Sequence, residues 1–185
     1  PLRRWRHPRL KRAACMTIDR RKSLPKLVGT ATASRELMPG DVALGRAGDV
    51  FKTLLGSCVS VILTDPRRTV GVMCHIVHVG RPNAANQRNT AYGEVAFQDM
   101  FDRLLGIGIP ATRCQAYVYG GGNMFPQMFT TTHVGANNAR WVMDFLHHHG
   151  IVVVGQSLGG TGYRKVYWTV GRDLPVVETV QSGMR

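Results

Sequence analysis

Cysteine is scarce in this chain. Four residues, Cys15, Cys58, Cys74 and Cys114, stand among 185, and none sits in a Cys-x-x-Cys pair. That spacing suits neither a zinc site nor a disulfide framework, and it implies a reducing, cytoplasmic compartment in which a thiol stays free to react. Long apolar runs are missing too: none approaches the roughly 18 residues that span a bilayer, which argues against membrane insertion. No hydrophobic stretch follows the basic N-terminus, so a secretory signal is not expected. Phosphate-binding signatures are also absent. Tyr119-Gly-Gly-Gly-Asn123-Met-Phe is glycine-rich, but it lacks the Gly-Lys-Ser/Thr end of a P-loop and does not fit G-x-G-x-x-G. It reads instead as a tight turn that lets backbone approach a neighbouring site.

Acid is in short supply, with 11 Asp and Glu against 24 Lys and Arg, a formal charge of +13. The imbalance is local. Residues 1–26 hold ten bases and one acid, whereas residues 27–185 hold fourteen bases and ten acids. A charge of +13 raises a nucleic-acid-binding reading, but most of it lies in the first 26 residues. The remainder shows no basic helix and no aromatic platform, so nucleic acid is not the expected partner. The arginine-rich, aperiodic residues 1–26 read as a disordered basic tail, dispensable for chemistry, with the start left open between Pro1 and Met16. Residues 27–185 then form one folded domain, long enough to bury a core.

Apolar patterning in that domain alternates between strands and helices. Asp41–Gly45 and Val50–Gly56 read as strands. Val59–Thr64 and Val70–Val79 form a hairpin about the turn Asp65-Pro66-Arg67-Arg68. Thr90–Leu105 carries Ala91, Val95, Ala96, Met100, Leu104 and Leu105 at helical spacing. Cys114–Tyr119 is a strand. Gly135–His149 is a second helix capped by Gly150. Ile151–Val154, Arg164–Val170 and Val176–Val180 complete the strands, and the chain from Gln181 reads as frayed. The class is mixed α/β.

The chemistry concentrates at Cys58 and His75. Cys58 follows Gly56-Ser57, where backbone N–H groups can be left free to bind a developing oxyanion. His75 ends the neighbouring apolar run, so the hairpin brings an imidazole to a thiol: a base and a nucleophile able to attack a carbonyl carbon. If the two share a proton, alkylation of Cys58 occurs well below the ordinary thiol value of roughly 8.5. Thr53 is a candidate for orienting the imidazole, and equally a plain strand residue. His75 and His78 form an H-x-x-H pair, but residues three apart on a strand point to opposite faces, so no metal is expected. Arg164 and Lys165 are either solvated strand residues or face an acidic partner.

Taken in order, five motifs resemble the CheD family of chemoreceptor glutamine deamidases, from about Met38 to Val180. They are Thr53-Leu-Leu-Gly-Ser-Cys58-Val-Ser-Val with Asp65-Pro66, Gly71-Val-Met-Cys-His75, Tyr119-Gly-Gly-Gly-Asn-Met-Phe125, Gly135-Ala-Asn-Asn138 with Gly150-Ile151, and Leu158-Gly-Gly followed by Arg164-Lys165-Val166. The chain departs from the family at Cys74, where many members carry asparagine. The resemblance implies a single-domain sandwich of mixed β-sheets flanked by helices, and a catalytic set of Cys58, His75 and Thr53. It implies hydrolysis of receptor glutamine side chains to glutamate through a thioester, with no cofactor and no metal. Ser57 and Gly56 would serve the oxyanion, and Arg164 and Lys165 would meet an acidic receptor surface. The implied partners are the cytoplasmic region of methyl-accepting chemoreceptors and, in some species, a CheC-type phosphatase. The rival within the family is a catalytically weak member that mainly binds such a partner.

Overall fold

The computed structural model describes residues 32–129 and 132–181. Nine strands and two helices follow in order: β1 Ser34–Glu36, β2 Val42–Arg46, β3 Val50–Leu55, β4 Val59–Thr64, β5 Val70–Ile76, α1 Gly93–Gly106, β6 Gln115–Gly120, α2 Val134–His148, β7 Val152–Leu158, β8 Gly162–Thr169 and β9 Val176–Gln181. Five strands form one sheet in the order β2-β5-β4-β6-β7, and four form a second in the order β1-β3-β8-β9.

Residue patterns explain the layering. All six residues of β4, Val-Ser-Val-Ile-Leu-Thr, are buried, because this strand sits mid-sheet and is covered on both faces. In β8 burial alternates residue by residue, as in a strand with one face covered. One core cluster, including Phe51, Leu55, Ile62, Met73, Tyr119, Val166 and Trp168, mixes residues of both sheets and lies between them. A second cluster joins the other face of the five-stranded sheet to the helices through Val61, Cys74, Phe97, Met100, Leu104, Val142 and Leu146. The buried stripe of α1, Ala96, Phe97, Met100 and Leu104, has the spacing of an amphipathic helix. The two helices meet where Gly93 leaves room for the Trp141 ring, and Phe97 stacks on Phe145 at 4.2 Å.

The sandwich of mixed sheets is as the resemblance implies, with one refinement: both helices cover the same outer face, that of the five-stranded sheet. The β4–β5 hairpin forms about the expected turn. Asp65 holds it closed, with one carboxylate oxygen accepting from the N–H groups of Thr69 and Val70 and the other from that of Arg67. The second helix and its glycine stop at Gly150, with φ +67°, also agree. The differences are in extent. The first helix starts at Gly93 rather than Thr90. The strand expected at Ile151–Val154 runs on to Leu158, since it pairs in parallel with β6 along that strand's whole length. β1 carries no sequence signal: its three residues are exposed and polar, and it exists through parallel pairing with β3. The readings for residues 1–26 fall outside the described residues, and so does the fraying expected from Gln181 except at Gln181 itself, which is the last residue of β9.

Candidate active site

His75 and Thr53 come from different sheets and meet between them. β5 presents His75 on its inner face, opposite Ser60 of β4. β3 presents Thr53 on its inner face, between the buried Phe51 and Leu55. Their side chains lie 2.9 Å apart, Thr53 Oγ1 to His75 Nδ1, and both residues are buried. The Thr53 hydroxyl donates its one proton to the Leu37 carbonyl at 2.8 Å. It therefore accepts from His75, and the same carbonyl lies 3.5 Å from Nδ1. Both neighbours of Nδ1 are acceptors, which places the imidazole proton there and leaves the lone pair on Nε2. Nε2 is buried and has no partner among the described residues.

Cys58 extends the inner face of β4 by two positions beyond Ser60. The register Val59↔Ile76 and Ser60↔His75 makes Cys58 and His75 diagonal neighbours on one face, within reach of a long side chain. Cys58 is half-buried and packs against the cluster between the sheets.

The turn that carries Cys58 is gripped at three successive carbonyls. Gly122 N–H donates to Gly56 O at 2.9 Å, and Gly121 N–H donates to Cys58 O at 2.8 Å. Between them, Asn138 Nδ2 donates to Ser57 O at 3.0 Å. Close approach requires the glycines: a Cβ on Gly120 would collide with the Cys58 carbonyl, and Gly120 and Gly121 both have positive φ, +114° and +68°. In a regular ladder Gly121 O would accept from Cys58 N–H. Here the Gly121 carbonyl is turned towards Gly135 at the start of α2. Among the described residues, no hydrogen bond uses the N–H of Ser57 or Cys58. The expected backbone approach of the glycine-rich turn is therefore present, and it leaves donors free beside the sulfur. Ser57 also lines a cavity of about 290 Å³, walled by Met124, Phe125, Phe129 and Val134.

Burial governs the resting protonation. It pushes the Cys58 thiol up, with the residue's own backbone N–H acting in the opposite sense. It pushes His75 down, against the opposing effects of the Leu37 carbonyl and the Asp41 charge. Both directions favour a neutral thiol and a neutral imidazole near neutral pH. Alkylation of Cys58 by iodoacetamide is accordingly expected to rise only above the ordinary thiol range of roughly 8.5. A labelling midpoint near neutrality, read by peptide mass spectrometry across pH, would contradict this. Cys74 and Cys114 are buried, their thiols pushed up to about 12 and about 11, chiefly by burial.

Arg164 and Lys165 are not brought to this site as a docking pair. Arg164 is only 5% exposed: its Nε donates to Ser157 Oγ at 3.0 Å and its Nη2 to Gly159 O at 2.6 Å, while Nη1 is buried without a partner among the described residues, so the side chain packs inside the turn and not on the surface. Lys165 is exposed on the outer face of the four-stranded sheet, beside Leu54 and Glu178, while Thr53 faces inward. His78 is exposed and its ring lies tilted against that of Tyr92, at a centroid distance of 5.1 Å. Asn138 is a buried polar residue to which sequence reading gave no role. Its only signal was its place in the Gly135-Ala-Asn-Asn138 motif.

A family model described as CheD chemotactic sensory transduction matches residues 79–173. A relative from Albidiferax ferrireducens named probable chemoreceptor glutamine deamidase CheD 2 is 37% identical over 139 residues, covering 72% of this chain and 80% of the relative. Relatives named probable chemoreceptor glutamine deamidase CheD from Jannaschia sp. and Rhodospirillum rubrum are 31% and 33% identical. They cover 79% and 80% of this chain, and 82% and 83% of their own lengths.

Proposed function

The chain belongs to the CheD family, and on that premise we propose that it is a chemoreceptor glutamine deamidase, turning side-chain amides of receptor glutamines into glutamates with Cys58 as nucleophile. The observation that carries the reading is the unpartnered Nε2 of His75, held with its lone pair outward by Thr53 and Leu37 on the face shared with Cys58.

Each step uses a group already in place. His75 Nε2 takes the thiol proton as Cys58 sulfur bonds to the carboxamide carbon. The oxygen of that carbon takes the electron pair and is stabilised by the free N–H groups of Ser57 and Cys58. Imidazolium then protonates the amide nitrogen, the C–N bond breaks and ammonia leaves. His75, neutral again, takes a proton from water as the water oxygen attacks the thioester. The collapsing adduct releases glutamate and restores the thiol. No step requires a metal or an organic cofactor.

The cavity beside Ser57 suits a substrate that offers apolar side chains next to its glutamine. Phe125 and Phe129 stand exposed around it, as aromatic anchors do in binding surfaces. The cytoplasmic region of a methyl-accepting receptor is the proposed substrate, and the cytoplasm the proposed place of work. No helix among the described residues is long and apolar enough to cross a membrane. A CheC-type phosphatase, the further partner that the resemblance implies, belongs to the same proposal.

Incubating receptor cytoplasmic fragments with the full chain is expected to raise the mass of defined glutamine peptides by the difference between an amide and a carboxylic acid, with ammonia released in equal amount. Receptor fragments that bind the protein and keep every amide would favour the weak, partner-binding alternative.

A further inference from the structure

We infer that Asn138 is the residue that aims the oxyanion-binding N–H of Cys58. The inference rests on the reading of Cys58 as an acylated nucleophile and extends it to a side chain on a helix that touches no reacting atom.

The side chain of Asn138 is buried in the first turns of α2, 2% exposed. Its Nδ2 donates twice, to Ser57 O at 3.0 Å and to Val77 O at 3.1 Å. Those two carbonyls belong to the chain immediately around the nucleophile. Ser57 precedes Cys58, and Val77 falls opposite Cys58 when the β4–β5 register is continued by one residue. A single amide thus ties the end of β5 to the start of β4 at the level of the sulfur.

Peptide geometry turns this clamp into a pointer. The Ser57–Cys58 peptide is trans, and in a trans peptide C=O and N–H point in opposite directions. Fixing Ser57 O against Asn138 fixes Cys58 N–H pointing away from α2. That N–H is unused among the described residues. Glycines hold the flanking carbonyls of Gly56 and Cys58, and the peptide that carries the Cys58 N–H is held by Asn138. Catalytic donors of this kind act through placement, so a released peptide loses most of the effect while its sulfur remains. Asn138 is therefore a positioning residue.

Two reagents separate placement from mere folding. Acylation of Cys58 by p-nitrophenyl acetate passes through an oxyanion, whereas alkylation by iodoacetamide does not. Both are read at Cys58 by peptide mass spectrometry on the full chain. In the unaltered protein the ratio of acylation to alkylation rate is expected to exceed that of free cysteine at the same pH. In Asn138→Ala the ratio is expected to fall about 10²-fold, the loss typical of one oxyanion donor, with alkylation unchanged. Asn138→Asp has the same shape without the donor and is expected to behave alike. It serves where circular dichroism shows that the alanine variant does not fold. Rates that fall together in a folded variant, or a ratio that does not move, would overturn the inference. A wild-type ratio no higher than that of free cysteine would overturn it along with the nucleophile assignment. An enhanced ratio without receptor deamidation would remove only the receptor substrate.

Discussion

Cys58→Ala is expected to reduce deamidation of receptor fragments to the background rate, a loss of at least about 10⁴-fold in kcat, while circular dichroism and thermal unfolding stay close to those of the parent. On the proposed mechanism the chemical loss is total because, among the described residues, Cys58 is the one thiol that packs against the cluster between the sheets, Cys74 and Cys114 lying in the helix-side core. The structural loss is small because the thiol is only half-buried and the Cys58 turn is held through its carbonyls, which alanine keeps. Cys74→Ala and Cys114→Ala give the opposite pattern. Both thiols are buried in the helix-side core, so their removal lowers stability by about 1 kcal/mol per lost group and leaves turnover of the folded protein intact. Activity that survives Cys58→Ala and dies with either of the others would transfer the nucleophile assignment.

His75→Gln is expected to fall to nearly the same floor as Cys58→Ala, and the double variant to fall no further. Groups that act as one unit are grossly non-additive, since removing either disables the step both serve. The pH profile gives a second reading. Attack requires neutral His75, and burial lowers its pKa from the ordinary 6.5. The imidazole stays neutral into mildly acidic solution, so the ascending limb of kcat/KM is expected below pH 6.5. Linkage has the same sign. The unfolded chain binds the proton more readily than the folded one, so stability is full above 6.5 and declines as pH falls through that value towards the folded pKa. Thr53→Val removes the acceptor that holds Nδ1–H and is expected to cost about 10²-fold in kcat, within the range of a mispositioned acid-base group. Losses that multiply in the double variant, or a limb above 6.5, would make His75 a structural strand residue.

How far the sequence reached is clearest residue by residue. The β4–β5 hairpin was legible because two apolar runs flank an Asp-Pro turn, and with it the placing of Cys58 and His75 diagonally on one face. Thr53 was ambiguous because threonine suits a strand anyway; its role depends on a contact between sheets that no local pattern encodes. Arg164 looked like a surface base. Its burial follows from the alternation of β8, in which position 164 falls on the covered face with Val166 and Trp168. Asn138 was invisible as a functional group. It lies 81 residues from Ser57 in sequence, and only the parallel β6–α2–β7 crossover brings it over the nucleophile turn. β1 escaped because its strand character is conferred by its neighbour.

That shortest strand has an influence out of proportion to its size. Leu37, the residue after β1, is tied to Lys52 through its N–H and offers its carbonyl to Thr53. Peeling β1 from β3 withdraws that carbonyl. The hydroxyl of Thr53 then turns to Nδ1 as a donor, the ring proton moves to Nε2, and the lone pair that would take the thiol proton is gone. The short edge strand thus bears, through the residue that follows it, on which ring nitrogen of His75 carries the proton.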